Sequence, residues 1–472
     1  MRESFVGKSL TELRSAILEG DVTSVELVDA YLDRIEARND DLCAVIAINP
    51  NARADAAALD ASADRGPLHG LPILIKDNIE TRELPTTAGS LALADNLTHR
   101  DAHLVASLRE AGAVILGKAN LSEWAFFRSS RGVSGWSAVG GQVRNPWDPL
   151  RSACGSSSGS GAAVAADMAP AAIGTETNGS VTCPASITGI VGLKPTVGLI
   201  SQTGIVPISH SQDTAGPMTK TVADAALLMA AMATHEEFQK GLGRADLEGL
   251  RLGVLTPASN FHPALVDEFA RAIGTLEGLG ARVVPDLKLE VPDGFSEASR
   301  TVLHYEFKHG INAYLASLPN EHSAQTLEDL IDFNNRHADL EMPFFHQESF
   351  ERAQGMGSLA DREYLDALAF VQSAAREKGL DAVLERDELD ALIGPTRGPA
   401  WVIDAVNGDP RTGGGNGVFS AVSGYPHLTV PMGRVHGLPV GISFMGAAHS
   451  DAKLLEIGDV FERASGGLSP AG

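Results

Sequence analysis

Short apolar runs rich in β-branched residues alternate with stretches of helical periodicity between residues 66 and 196. Residues 70–77 (GLPILIKD) form one such run, which ends in charge and predicts a buried strand with Lys76 at its end. An amphipathic helix is predicted over residues 102–112, and a strand over residues 113–116. This alternation predicts an α/β fold, in which helices cover the faces of a layered β-sheet.

Local signals near the two ends of the chain add to this prediction. Residues 9–12 (SLTE) and 23–26 (TSVE) both match the S/T-x-x-E capping box, which predicts two N-terminal helices. Residues 427–431 and 439–444 are strand-like and are predicted to form a late hairpin.

The sequence shows no linker, repeat or low-complexity tract, so we expect a single domain over residues 1–472. Within it, residues of about 66–235 are expected to form a catalytic core. Residues of about 236–390 are more helical and more charged, and we predict that they form a helical elaboration that covers the pocket. Aromatic residues between positions 305 and 350 are expected to shape that pocket.

The balance of charges bears on the partners of the protein. Lys and Arg number 37 against 60 Asp and Glu, a net charge of −23. This charge repels nucleic acid and anionic membranes, so we expect neither as a partner. The N-terminus lacks the apolar core of a signal peptide, and no run of about 18 apolar residues occurs. The predicted location is cytoplasmic, although a removed leader would leave no trace here.

The three cysteines, Cys43, Cys154 and Cys183, cannot all pair within one chain. No CxxC or His-rich spacing accompanies them, so the sequence does not indicate a metal site. We therefore predict reduced thiols in a protein without disulfides.

Two serine-containing segments are candidates for chemistry. Residues 155–161 (GSSSGSG) lead into an alanine-rich helix, and such a start leaves backbone N–H groups free to bind an anion. A P-loop is one alternative, but no Gly-Lys-Ser/Thr follows, and a flexible linker is disfavoured by the apolar flanks. Residues 174–180 (GTETNGS) place small residues before Ser180, as an oxyanion hole requires. Taken alone, this second segment is more often an ordinary turn.

A serine nucleophile needs a base that removes its proton. The chain has 14 histidines, but no G-x-S-x-G elbow surrounds Ser180, so a Ser-His-Asp arrangement lacks support. Lys76 could act instead, because burial disfavours the charged ammonium. A lone lysine is more often a surface charge or a member of a buried ion pair, so the residues alone leave its role open.

Several motifs in a fixed order resemble the amidase signature family, and they extend over nearly the whole chain. They are residues 76–78 (KDN), 117–120 (GKAN), 155–161, 174–180, 189–196 (GIVGLKPT), 213–218 (DTAGPM), 424–426 (GYP) and 437–441 (GLPVG). The resemblance implies the amidase signature fold, with a mixed β-sheet core covered by helices on both faces. It also implies hydrolysis of a carboxamide bond through an acyl-enzyme, without a metal or an organic cofactor.

The resemblance assigns the family's Ser–cis-Ser–Lys triad residue by residue. Ser180 would be the nucleophile, Ser156 the cis-serine and Lys76 the base. The oxyanion donors would be backbone N–H groups just before the nucleophile and of the nucleophile itself, in Thr177, Asn178, Gly179 and Ser180.

Two departures from the family pattern bear on the substrate. The usual Asp is Glu176, and the usual Gly-Gly-Ser is Asn-Gly-Ser at residues 178–180. Residues 181–184 (VTCP) also lack the arginine that could hold a substrate carboxylate bidentately. That absence argues against acidic substrates and weakens the case for an amidotransferase subunit.

Further motifs resemble bacterial peptide amidases, which remove the C-terminal amide of peptides. They are residues 88–93 (AGSLAL), 121–125 (LSEWA), 134–138 (SGWSA), 154–160 (CGSSSGS), 174–177 (GTET) and 305–308 (YEFK). The expected partner is therefore a small-molecule or peptide amide substrate, bound by a monomer or a homodimer. Aryl acylamides or other small amides are the main alternative, and an amidotransferase subunit is the third.

Overall fold

The structure, a computed structural model, describes residues 2–233, 236–256, 261–319, 324–410, 415 and 417–468. Its strands are β1 Val45–Ile48, β2 Pro72–Lys76, β3 Val114–Ala119, β4 Trp136–Ser137, β5 Gly141–Gln142, β6 Arg144–Asn145, β7 Asp148–Ser152, β8 Ala171–Glu176, β9 Val191–Lys194, β10 Thr214–Thr219, β11 Arg251–Leu255, β12 Arg282–Leu287, β13 Ala391–Pro395, β14 His427–Val435 and β15 Leu438–Met445. Among the described residues, eleven of them form one sheet, in the order β1-β3-β2-β8-β10-β9-β14-β15-β13-β11-β12.

The sheet is mixed. β2 runs parallel to β3 and β8, and β11 runs parallel to β12 and β13, whereas β8, β10, β9, β14 and β15 pair antiparallel in turn. The predicted late hairpin is β14 with β15, in which Leu428 lies opposite Phe444.

The α-helices are α1 Leu10–Glu19, α2 Ser24–Leu42, α3 Ala52–Asp60, α4 His103–Glu110, α5 Ser158–Ala165, α6 Thr182–Thr188, α7 Val222–Met232, α8 Pro263–Gly278, α9 Phe295–Ala316, α10 Leu327–Arg336, α11 Ala338–Glu341, α12 Glu348–Gln354, α13 Arg362–Ala375, α14 Asp381–Arg386, α15 Val418–Ser423 and α16 Asp451–Ser465. Both predicted capping boxes are present. The side chain of Ser9 accepts from the N–H of Glu12 at the start of α1, and that of Thr23 accepts from Glu26 at α2.

Helices pack along the sheet and enclose its centre. α6 packs on β9, β14 and β15, α7 on β9 and β10, and α5 on β8. Every residue of β2, β3, β8, β9 and β10 is buried, as expected for strands covered on both faces. This confirms the predicted α/β fold with a mixed sheet at its core. Within the described residues, no helix has both the length and the apolar character needed to cross a membrane.

The predicted helical elaboration over residues 236–390 is wrong in its first third. Residues 251–255 and 282–287 form β11 and β12, which extend the sheet, with α8 between them. For β12 the error has a physical cause, since a short edge strand with a mixed burial pattern gives a weak hydrophobic period. Helices prevail only from α9 to α14. The single domain stays a prediction, and its internal boundary near residue 235 lies outside the described residues.

Candidate active site

Lys76 is the last residue of β2, and its side chain has no exposed surface. Its Nζ donates to Ser156 Oγ at 2.7 Å and to Thr175 Oγ1 at 2.8 Å, and it lies 3.3 Å from Thr175 O. No carboxylate of the described residues is ion-paired with this nitrogen. Burial therefore lowers the pKa of Lys76 to about 7, while Asp213 and Glu176 exert a smaller, opposing attraction. A lysine in this setting can hold or release a proton near neutral pH.

Ser156 lies between β7 and α5 and is completely buried. The peptide bond from Gly155 to Ser156 is cis. The carbonyl oxygen of Ser156 accepts from the N–H of Ser122 at 3.0 Å. The next residue, Ser157, donates its N–H to the carbonyl oxygen of Ser180 at 3.0 Å. The two serine-containing segments found in the sequence are thus joined through their backbones.

Ser180 lies just before α6, and 9% of its surface is exposed. The turn before it folds around Glu176, whose Oε2 accepts from the N–H groups of Val181 at 2.8 Å and Thr182 at 2.9 Å. Gly179 has φ +82°, in the left-handed region that favours glycine. Glu176, where this chain departs from the family pattern, therefore has a local structural function. Its carboxylate holds the start of α6 by accepting these two backbone N–H groups.

The four proposed oxyanion donors share one property. None of the described residues accepts a hydrogen bond from the backbone N–H of Thr177, Asn178, Gly179 or Ser180. The side chain of Thr177 is held instead by Asp213, at 2.6 Å between Oγ1 and Oδ1. The loop is thus anchored by the carboxylates of Asp213 and Glu176, and its backbone N–H groups remain available to an oxyanion.

The prediction of three reduced thiols is wrong. Cys154 and Cys183 form a disulfide across a sequence separation of 29, with their Cα atoms 6.1 Å apart, and Cys43 is free. Spacing along the chain gave no signal of this pair, because the fold alone brings the two Cα atoms within disulfide range. Cys154 lies two residues before Ser156, and Cys183 lies three residues after Ser180. The disulfide therefore links both serine-containing segments.

A cavity of about 480 Å³ opens at Ser180 and at the turn before it. Its walls include the disulfide, the rings of Phe126, Phe127 and Trp401, and the charged residues Arg397 and Asp409. The aromatic lining thus comes from outside positions 305–350, contrary to the expectation from the sequence. Phe307 of that region packs behind Phe127, with ring centroids 4.6 Å apart.

Sequence reasoning missed the segment after β13. Residues 396–410 carry Arg397, Trp401 and Asp409 into the cavity, although they follow Ser180 by more than 200 positions. The sequence just before this segment is strand-like and indicates β13, but nothing in it indicates where the loop after β13 runs.

Comparison with known proteins agrees with this geometry. The profile of the family described as Amidase matches residues 26–455. The chain belongs to the amidase family. Its structure resembles the native peptide amidase of Stenotrophomonas maltophilia with a TM-score of 0.95 and 43% identity, over 100% of this chain and 99% of that one.

Two curated relatives are also similar to this chain over nearly its whole length. A probable amidase of Arabidopsis thaliana is 37% identical, over 97% of this chain and 90% of its own length. A glutamyl-tRNA(Gln) amidotransferase subunit of Burkholderia mallei is 34% identical, over 97% of both chains. The protein is therefore an amidase, a hydrolase of carboxamide bonds.

Proposed function

We propose that this amidase removes ammonia from C-terminal peptide amides and amino acid amides, with Ser180 as nucleophile and Ser156 and Lys76 as proton carriers. One observation carries the proposal: a buried lysine without a carboxylate partner lies 2.7 Å from a buried serine hydroxyl, beside the cavity that Ser180 lines. An unpaired ammonium in that position is costly, so the neutral amine is accessible.

The proposed chemistry is acyl transfer. Neutral Lys76 takes a proton from Ser156, which takes the proton of Ser180 as the Ser180 oxygen attacks the amide carbon. Backbone N–H groups of residues 177–180 donate to the oxyanion that forms. The proton then returns through Ser156 to the departing nitrogen, and ammonia leaves. Water attacks the acyl-enzyme by the same route and restores Ser180.

The substrate class rests on two supports. The similarity to the Stenotrophomonas maltophilia peptide amidase extends over the whole chain. The cavity also holds apolar rings beside a few polar groups, which suits a peptide end without a free carboxylate. Aryl acylamides are a second candidate, because the rings of Phe126, Phe127 and Trp401 could receive an aromatic amine.

The test compares kcat/KM for an N-protected amino acid amide, an acyl anilide and free glutamine. We expect release of ammonia from the amide to dominate. Faster cleavage of the anilide would replace the peptide-amide proposal, and release of ammonia from glutamine alone would favour an amidotransferase subunit. Ser180→Ala should reduce turnover by several orders of magnitude with the fold intact.

A matched control is available on the helix that follows Ser180. Ser186 is buried in α6, and its hydroxyl has no hydrogen-bond partner among the described residues. Ser186→Ala should therefore retain activity, and a fluorophosphonate should label this variant and the parent but not Ser180→Ala. Labelling of Ser180→Ala at another serine, with activity retained, would reject Ser180 as the nucleophile.

The assembly state and location are also proposals. We expect a monomer or a homodimer, which sedimentation can decide. The sequence predicts cytoplasmic residence together with an absence of disulfides, whereas the Cys154–Cys183 bond favours an oxidising compartment. Cell fractionation with trapping of free thiols would separate the two locations.

A further inference from the structure

Arg397 is a cavity residue whose backbone is fixed by the sheet. It follows β13 closely, and the preceding Thr396 donates its N–H to the carbonyl oxygen of Gly441 at 2.9 Å. The Thr396 hydroxyl also bonds to the hydroxyls of Thr429 at 2.7 Å and Ser443 at 2.9 Å. The start of the loop is thus held in place before any ligand arrives.

The guanidinium of Arg397 has unused hydrogen-bonding capacity. Its centre lies 5.0 Å from the ring centroid of Trp401, which holds it by a cation–π contact. Its Nε is buried without a hydrogen-bond partner, and the guanidinium donates to no described residue. Burial lowers the pKa of Arg397, and Asp409 opposes this shift. Arg397 is half-buried, and its Nε, shielded from solvent without an acceptor, can donate to an acceptor that a ligand supplies.

Asp409 offers the complementary group in the same cavity. Its Oδ1 accepts from Trp401 Nε1 at 3.1 Å and from the N–H of Ser134 at 3.2 Å. Asp409 lines the cavity, and a carboxylate has about four lone-pair sites, so it can also accept from a ligand. Asp409 and Arg397 are not ion-paired, although each influences the pKa of the other. The cavity therefore presents a set of donors and an acceptor, both oriented by Trp401.

We propose that Arg397 and Asp409 bind the peptide unit that precedes the scissile amide, with Arg397 donating to its carbonyl oxygen and Asp409 accepting from its N–H. The inference rests on the proposed function and deepens it. A peptide unit carries one acceptor and one donor, which matches the pair, whereas a free carboxylate would be attracted by Arg397 but repelled by Asp409. The pair would thus select acylated amino acid amides over simple carboxamides.

The experiment uses three primary amides with the same phenyl ring: N-acetylphenylalaninamide, its ester analogue O-acetylphenyllactamide, which lacks the N–H, and 3-phenylpropanamide, which lacks the whole peptide unit. Ammonia release gives kcat/KM for the parent and for Arg397→Met. Because hydrogen bonds to charged groups are strong, Arg397→Met should lose about 10- to 100-fold on the first substrate and less than about 3-fold on the third. The parent should also prefer the peptide to the ester by about tenfold.

Arg131→Met is the matched control, because this exposed arginine lies outside the cavity and its loss changes the net charge equally. It should leave all three kcat/KM values unchanged. Arg397→Lys keeps the charge, so its losses in kcat/KM should be smaller than those of Arg397→Met but again largest on the first substrate. This variant also serves as the test if Arg397→Met does not fold.

The outcomes separate this inference from the proposed function. Equal losses on all three substrates in both Arg397 variants would overturn the inference and give Arg397 a structural role only. No loss on any substrate would overturn it as well. A parent enzyme that releases ammonia from none of the three would overturn the proposed function itself.

Discussion

Lys76 and Lys118 occupy neighbouring strands of the sheet but different surroundings. They lie on the neighbouring parallel strands β2 and β3, where Lys118 is paired in register with Ile75. Neither has any exposed surface. Lys118 Nζ lies 2.9 Å from Asp77 Oδ1, whereas Lys76 Nζ, among the described residues, bonds to oxygens of Ser156 and Thr175 alone.

The difference lies in the electrostatic surroundings of the two ammonium groups. Burial lowers the pKa of both, but at Lys118 the adjacent carboxylate of Asp77 opposes that shift at contact distance. Lys118 also donates to Pro85 O at 3.1 Å and to Thr86 Oγ1 at 3.0 Å, beside its ion pair with Asp77. Lys118 thus has a carboxylate as its neighbour, whereas the neighbours of Lys76 are hydroxyl and carbonyl oxygens.

The largest effect is expected at Lys76. Lys76→Met should lower kcat by about 100- to 10,000-fold, because it removes the proposed general base, and it should change the thermal stability little. Ammonia release and a thermal melt measure the two quantities. A variant with near-parental kcat would show that another group acts as the base, and the contrast drawn between Lys76 and Lys118 would then have no bearing on catalysis.

The reverse pattern is expected at Lys118. Lys118→Met leaves Asp77 buried without its partner, so the free energy of unfolding should fall by about 3–5 kcal/mol. Activity per folded molecule should change little. The double variant Lys118→Met/Asp77→Asn should recover part of the loss, because no uncompensated charge remains. Denaturant titration measures this, and equal stability of the single variant and the parent would contradict the ion-pair role.

Breaking the disulfide near Ser156 should disturb the hydrogen bond between Lys76 and Ser156 and leave the ion pair between Lys118 and Asp77 intact. Reduction of Cys154–Cys183 frees a loop of 29 residues, and the chain-entropy estimate is about 3–4 kcal/mol of stability. Activity should fall as well, since both serine-containing segments are released. The control is Cys43→Ser, which should respond to reductant as the parent does. Unchanged melting and activity after verified reduction would show that the bond is dispensable.

The pH profile gives the smallest and most specific effect. As the proposed base Lys76 must be neutral, and burial lowers its pKa to about 7, so kcat/KM should rise as pH is raised through 7 and fall about tenfold per unit below it. Burial also raises the pKa of Asp213 to about 6, and its protonation would weaken the hold on Thr177. Because Asp213 also raises the pKa of Lys76, Asp213→Asn should keep the limb but move it to lower pH, and loss of the limb in this variant would assign the titration to Asp213.

Much of the fold follows from local patterns in the sequence. The capping boxes at Ser9 and Thr23, the apolar run that ends in Lys76 and the late hairpin all appear at the predicted positions. Each depends on residues close together in the chain, whose spacing alone sets a cap or a buried face. The strands β11 and β12 were missed, and for the edge strand β12 the reason is that a half-exposed strand carries little of that signal.

The candidate site divides in the same way. Lys76, Ser156 and Ser180 could be selected from the sequence, through motifs that the chain shares with its family. The contact between Lys76 and Ser156, the disulfide, and the entry of Arg397 and Asp409 into the cavity could not. Sequence determined which residue types were present and which local elements they form. Only the tertiary structure decided which of two buried lysines meets a carboxylate and which meets a hydroxyl, because those partners are brought together by the packing of whole strands and loops rather than by spacing along the chain.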